Sequence, residues 1–266
     1  MDPSGTQTEN NEATVSDEYN DDKAKEKLIS EIRTHVLPEL GDEGRKKVES
    51  IIEKIKDGSF DEVIYKEGIA EKPKLNSKVK PTNFKHLIRN KDLQDLYYIA
   101  RARDYQIRYG KNDVPQYVIE YGAKYMFRFK YETRNELTDI TAINWLDDTL
   151  YNLQDSLEEI LYKYPKCEDL DSDESGSLYK KAFESHVDAY LNAGFCNLNL
   201  AEWIDIGRTP DRKDIAGGVL QVLSVLVSCH VGIDAIASFA TRPLSRELES
   251  IYKNFLQNSI LQQLKR

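Results

Sequence analysis

The chain has 266 residues, 40% of them hydrophobic and 31% charged, which is typical of a soluble globular protein with a sizeable core. Its 13 glycines and 8 prolines are too few for an all-β fold, which needs a turn about every ten residues. The composition and the helical patterns described below predict an all-α fold with a single multi-helix core.

The net charge of −9 is unevenly distributed along the chain. Residues 1–22 carry seven acidic residues and no lysine or arginine. Residues 72–134 hold 15 basic against 6 acidic residues, whereas residues 135–190 hold 4 against 14. Opposed charge blocks of this kind indicate an electrostatic role within the molecule or between molecules.

Four regions follow from composition and periodicity. Residues 1–22 have almost no large apolar side chains and are predicted to form a disordered acidic arm. Residues 23–65 carry two short apolar stripes and predict a helical hairpin that must pack on the main body or on a neighbouring subunit. The lysine- and proline-containing stretch 66–81 is predicted to be a linker, and 82–266 the α-helical core domain.

Within the core, residues 91–109 fit a helix that ends at Gly110. The stretch 124–131 alternates like a strand but also continues a helical stripe, and its helical surroundings favour a helix. Residues 138–164 form the clearest amphipathic helix, with leucines on one face and acids on the other.

The last third of the chain is also predicted to be helical. Residues 178–193 and 199–206 fit two helices. Residues 215–233 contain no charge and predict a buried central helix rather than a membrane span, because glycines and polar residues dilute the stretch. An amphipathic helix over 244–264 follows.

The block from 84 to 131 interleaves tyrosines with basic residues, as single-stranded nucleic acid requires for stacking and phosphate contact. The predicted nucleic-acid-binding residues are Arg101, Arg103, Arg108, Lys124, Arg128, Lys130, Tyr105 and Tyr109. Alternatively, the tyrosines fill the core and the cations pair with acidic residues of the same or a neighbouring molecule. This second arrangement is the commoner one in globular proteins.

Two weaker sites have ordinary explanations beside the functional ones. The loop with Asp171, Asp173 and Ser175 resembles the first eight positions of an EF-hand calcium loop, but Ala182 stands where the bidentate glutamate is needed. A solvated acidic loop is therefore favoured. Arg208 and Arg212, at the start of the predicted central helix, form a weak anion site, but ordinary capping and surface charge are the favoured explanation.

The three cysteines are odd in number and widely spaced, which predicts no disulfide framework and a reducing compartment. Cys229 and His230 are expected to line the core. With no apolar signal segment at the N-terminus, we expect a cytoplasmic protein that does not enter a membrane.

No phosphate-binding, dinucleotide-binding, metalloprotease or serine-hydrolase motif occurs, so we expect no cofactor and lean against an enzyme. The leading hypothesis is a non-enzymatic assembly protein, similar in general plan to nucleoproteins and coat proteins, that forms homo-oligomers and binds single-stranded RNA. The first alternative is a protein-binding adaptor that uses the acidic helix 138–164. The second is an α-helical enzyme whose catalytic residues are dispersed along the sequence.

Overall fold

The computed structural model describes residues 19–170, 177–207 and 209–211, together with 224–225 and 228–229. Within these ranges all the regular secondary structure is helical. The only β-type pairing in them is a single bridge between Lys66 and Ala70. The prediction of an all-α fold is therefore confirmed. The acidic arm up to residue 18, most of the apolar stretch 215–233 and the whole predicted helix 244–264 lie outside the described residues.

The N-terminal hairpin consists of α1 (Asp21–His35) and α2 (Asp42–Asp57), with a 3₁₀ turn at Leu37–Glu39 between them, and is followed by α3 (Ser59–Ile64). The side chain of Asn20 caps α1 by accepting a hydrogen bond of 3.0 Å from the Lys23 amide. The apolar stripes of α1 and α2 belong to the same buried cluster as the helices that follow. The hairpin thus packs on the main body of its own chain.

The backbone of the predicted linker is hydrogen-bonded to the C-terminal end of the helix Tyr97–Tyr109. The Asn76 amide donates to the Ile107 carbonyl at 2.9 Å, and the Lys78 amide donates to the Arg108 carbonyl at 3.0 Å. The side chain of Leu75, the residue before Asn76, is still 54% exposed. The segment therefore lies on the surface, but its backbone is held in place.

The centre of the described structure is α5 (Tyr97–Tyr109), preceded by α4 (Lys85–Ile88) and a 3₁₀ turn at Gln94–Leu96. All 13 residues of α5 are buried. The helix ends at Gly110, whose φ of +61° is the left-handed conformation that favours glycine. The predicted helix is thus present from residue 97 rather than from 91.

A single helical run covers residues 116–136 and contains two π-helical stretches, Tyr117–Ala123 and Phe129–Thr133. Between and after them lie α6 (Lys124–Arg128) and α7 (Arg134–Glu136). The helical interpretation of 124–131 is therefore correct. Each π-helical stretch widens a turn and shifts the register of the side chains that follow.

The long acidic helix is α8 (Ile140–Lys163), which pairs with α9 (Leu178–Asn192). The indole of Trp145 donates to the Tyr190 carbonyl at 3.2 Å, which fixes the two helices side by side. Short 3₁₀ turns at Cys167–Leu170 and Phe195–Asn197 and helix α10 (Leu200–Gly207) complete this region. Within the described part of the chain, no helix is both long and apolar enough to cross a bilayer.

His186 lies inside the α9 side of the core, 4% exposed, with its ring centroid 5.0 Å from that of Phe183 and 5.7 Å from that of Tyr190. Burial among aromatic rings disfavours the charged imidazolium and lowers the pKa of His186 from 6.5 to about 4. Between these two pKa values the imidazole of His186 is protonated in the unfolded chain but neutral in the folded chain. Lowering the pH through this range therefore stabilises the unfolded state relative to the folded one.

We expect His186 to reduce the free energy of unfolding by about 2 kcal/mol as the pH falls from 7 to 5. His186→Phe keeps a ring in the cluster and removes the titration, so its stability should fall less over this range. Denaturant unfolding of both proteins at pH 7 and pH 5 measures the difference. Equal losses in both proteins would contradict the assignment.

Candidate functional site

Three of the four arginines predicted to contact nucleic acid lie on α5. The exposed fraction is 0% for Arg101, 1% for Arg103 and 0% for Arg108. The prediction that these guanidinium groups face outward is therefore wrong. A guanidinium group is stable in such a buried position only when carboxylates and other hydrogen-bond acceptors replace its hydrating water.

Arg101 and Arg108 share the buried Asp104 on their own helix, at 3.7 Å and 3.2 Å. Arg101 also lies 3.6 Å from Glu158 of α8, and Arg108 forms a close ion pair with Glu168. The carboxylates come from three separate parts of the chain. They neutralise the two cations at the junction of α5, α8 and the turn at Cys167–Leu170.

Glu158 is one of the acids on the helix face opposite the predicted leucine stripe of 138–164, yet it is only 5% exposed. It accepts hydrogen bonds from the Tyr97 hydroxyl at 2.8 Å and from the Phe84 amide at 3.0 Å. Burial raises the pKa of Glu168, the other glutamate that pairs with these arginines, although the charges of Arg108 and Arg101 oppose that shift. One acidic residue of the helix face therefore belongs to the core.

Arg103 links the N-terminal hairpin to the central helix. It donates to both carboxylate oxygens of Asp61, at 3.0 Å and 3.2 Å, and to Asp21 at 2.5 Å. Burial by itself raises the pKa of Asp61, but hydrogen bonds from Arg103 and Lys72 outweigh it and hold that pKa below its usual value. Arg103 thus serves to dock α1 and α3.

The remaining predicted cations also have partners within the chain. Asp211 forms ion pairs with Lys124 and, at 2.7 Å, with Arg128. Lys130 pairs with Asp95, which is 2% exposed. These contacts correspond to the internal pairing considered above as the alternative to a nucleic-acid surface.

The predicted tyrosine platform is likewise internal. Tyr105 and Tyr109 are each 7% exposed, and their ring centroids lie 4.9 Å apart. The Tyr109 hydroxyl donates to the Pro165 carbonyl at 3.3 Å. Because their faces are covered, these rings do not offer the open surface on which bases stack.

A cleft of about 600 Å³ opens on the surface of the described part of the chain. Four segments line it: α2, the stretch from α4 to the following 3₁₀ turn, the end of the 116–136 run, and α8. Its cations are Lys47, Arg89, Lys91, Lys130 and Arg134. Its anions are Glu43, Asp92, Asp95, Asp147 and Asp148.

The floor and rim of this cleft, called here the mixed-charge cleft, differ in their charge pairing. On the floor, Asp95 accepts a 2.6 Å hydrogen bond from the Tyr131 hydroxyl and pairs with Lys130. On the rim, Lys91 has 89% of its side chain exposed and lies 3.9 Å from Asp147. The floor is therefore neutralised, whereas the rim presents accessible charges of both signs.

Several predicted site residues lie outside the described residues, namely Asp171, Asp173, Ser175, Arg208 and Arg212. The cysteine prediction needs correction, because Cys196 and Cys229, 33 residues apart, form a disulfide. Cys229 is therefore a disulfide-bonded, partly buried residue rather than a fully buried core residue, while Cys167 is a buried free thiol. Disulfides are commoner in oxidising compartments, so the cytoplasmic location stays a prediction without support from the cysteines.

Sequence reasoning missed the carboxylates that neutralise the arginines. Asp104 was detectable, because it stands three residues after Arg101 and four before Arg108, the spacings at which helical side chains meet. Asp61, Glu158, Glu168 and Asp211 carry no such local signal. The chain matches no protein-family model, no curated protein and no solved structure.

Proposed function

We propose that this chain is a binding protein of the adaptor kind, which holds a segment of a protein partner in the mixed-charge cleft. The observation that carries the proposal is the lining of the cleft, where five cations and five anions from four segments meet. A polymer of one sign gains no net attraction from such a surface. A peptide that carries both signs is complementary to it.

The acidic helix supplies one wall of this cleft through Asp147, Asp148 and Tyr151. Tyr131, which is partly exposed, adds apolar contact area beside the charges. Aromatic side chains with neighbouring charges are common at protein interfaces, where the rings contribute most of the contact energy. This arrangement supports the adaptor hypothesis, with α8 as one part of the binding surface rather than the whole of it.

The nucleic-acid hypothesis has less support. Its arginines are buried in ion pairs, and the exposed cations of the cleft are matched by acids. Self-association remains part of the proposal, with a second copy of the chain as one protein partner. Exposed tyrosines support it: Tyr162, Tyr164 and Tyr179 are 72%, 41% and 44% exposed, on α8, just after it and on α9.

The test is a fluorescence anisotropy titration at about 50 mM salt with two labelled probes, an alternating Lys–Glu peptide and a single-stranded RNA. We expect the peptide to bind more tightly than the RNA. Lys91→Glu and Asp148→Lys should each weaken peptide binding about two- to fivefold, the usual value of an exposed ion pair. Lys54→Glu, on α2 but outside the cleft lining, is the matched control.

The pattern of effects separates the hypotheses. RNA binding that is weakened by Lys91→Glu and strengthened by Asp148→Lys would restore the nucleic-acid hypothesis and contradict the adaptor one. Peptide binding that neither cleft variant changes would exclude the cleft as the site. Sedimentation velocity of the unlabelled protein at the same salt concentration reports whether copies of the chain associate.

A further inference from the structure

A histidine and two glutamates converge where α1 packs on the first π-helical stretch. Nε2 of His35 lies 3.2 Å from a carboxylate oxygen of Glu31 and 3.8 Å from one of Glu120. One ligand atom from each of the three residues lies within 4.8 Å of the other two. Each side chain is partly accessible, so an ion can reach the group without unfolding the chain.

We propose that Glu31, His35 and Glu120 form a zinc site that fastens α1 to the 116–136 helical run. Zinc bonds to histidine nitrogen and carboxylate oxygen are about 2.0–2.2 Å long. In a tetrahedral site such bonds place neighbouring ligand atoms about 3.4 Å apart. The two nitrogen–oxygen distances lie on either side of this value, so small side-chain movements suffice to bind the ion.

The local backbone explains why the three groups meet. Glu31 and His35 are four residues apart on α1 and therefore share one helix face. Glu120 is the middle residue of the π-helical stretch Tyr117–Ala123, and π-helical turns frequently mark functional sites. Within this π-helical stretch, the Glu120 side chain is directed toward the face of α1 that carries Glu31 and His35.

Two of the three side chains, those of Glu31 and Glu120, border an opening through which water can reach an ion and complete its coordination. This opening of about 180 Å³ is lined by Glu31, Glu120 and Asp113, among others. Lys27 lies 2.8 Å from the Glu31 oxygen that does not face His35, and 3.8 Å from Asp113. Lys27 thus orients the Glu31 carboxylate from the outside, as outer partners orient metal ligands. One histidine, two carboxylates and an open position match the donor set of zinc rather than that of calcium.

The experiment uses the full chain without a histidine tag, stripped with a chelator and titrated calorimetrically with zinc chloride. We expect one zinc per chain, a rise in the melting temperature, and visible absorption typical of tetrahedral cobalt when Co²⁺ replaces Zn²⁺. His35→Ala and Glu120→Gln should each weaken zinc binding at least tenfold, about the minimum loss caused even by changes in outer partners. Glu49→Gln, on the exposed surface of α2, should leave it unchanged.

Two outcomes would overturn the proposal. One is the absence of zinc binding by the stripped wild-type protein, which would make the cluster an ordinary histidine–carboxylate ion pair. The other is zinc affinity that is the same in the wild type, His35→Ala and Glu120→Gln, because the ion would then lie elsewhere on the chain. Circular dichroism of the variants confirms that they are folded.

Discussion

Arg108→Met is expected to lower the free energy of unfolding by about 3–5 kcal/mol, the usual cost of removing one partner from a buried ion pair. Arg108 is fully buried and contacts both Asp104 and Glu168. Its loss leaves Glu168, which is 1% exposed, without its closest cation. Among the described residues, Asp104 then keeps only Arg101 as an ion-pair partner, beside its hydrogen bonds from Thr82. Denaturant unfolding monitored by circular dichroism measures the change.

Two further variants test the reason for that loss. Arg33→Met replaces an exposed arginine on α1 and should change stability by no more than about 0.5 kcal/mol. The double variant Arg108→Met/Glu168→Met should be more stable than the sum of its single variants predicts, since an apolar pair leaves no uncompensated charge. Additive losses would show that the ion pair is not the source of the stability.

Gly122→Ala is expected to destabilise the fold by about 3 kcal/mol, at the upper end of the range for an overfilled core. Gly122 lies in the first π-helical stretch, against the ring of Tyr98 on α5. An added Cβ would lie 2.4 Å from Cδ1 and 2.6 Å from Cε1 of that ring. The ring cannot move aside easily, because Tyr98 is 4% exposed and packs against Tyr97 at a centroid distance of 5.1 Å.

A double-mutant cycle tests this steric cause. In a Tyr98→Leu background the added methyl group meets a shorter side chain, so Gly122→Ala should cost clearly less there than in the wild type. Thermal unfolding of the four proteins gives the coupling. An unchanged cost in both backgrounds would indicate that the backbone of the π-helical turn, rather than Tyr98, requires glycine.

Much of the helical architecture was predictable because the signals are local. The leucine repeat of 138–164 corresponds to α8, and Gly110 ends α5 as its position suggested. The π-helical stretches were not predictable, since nothing in the residues 117–123 distinguishes a π turn from an α turn. These stretches decide where Glu120 and Gly122 point, so the candidate zinc site and the contact with Tyr98 were also beyond prediction.

The prediction that Arg101, Arg103 and Arg108 face water is wrong for a physical reason. Composition shows that 72–134 is basic and 135–190 acidic, but not whether the two blocks face water or each other. From the sequence, the three arginines of α5 are expected to face water, because charged residues rarely lie in a core. In the structure, these arginines pair with carboxylates that are distant in sequence, and the pairing makes their burial possible. The carboxylates are those of Asp61, Glu158 and Glu168.

The sequence by itself determined that this chain is helical, where most of its described helices lie, and that its charges are segregated along the chain. Those properties depend on neighbours within a few residues, through periodicity and capping. Only the tertiary structure decided which charges are buried and that Cys196 and Cys229 form a disulfide. It also decided that charged residues of both signs line the mixed-charge cleft. Burial and pairing depend on residues far apart in sequence, and only packing brings those residues together.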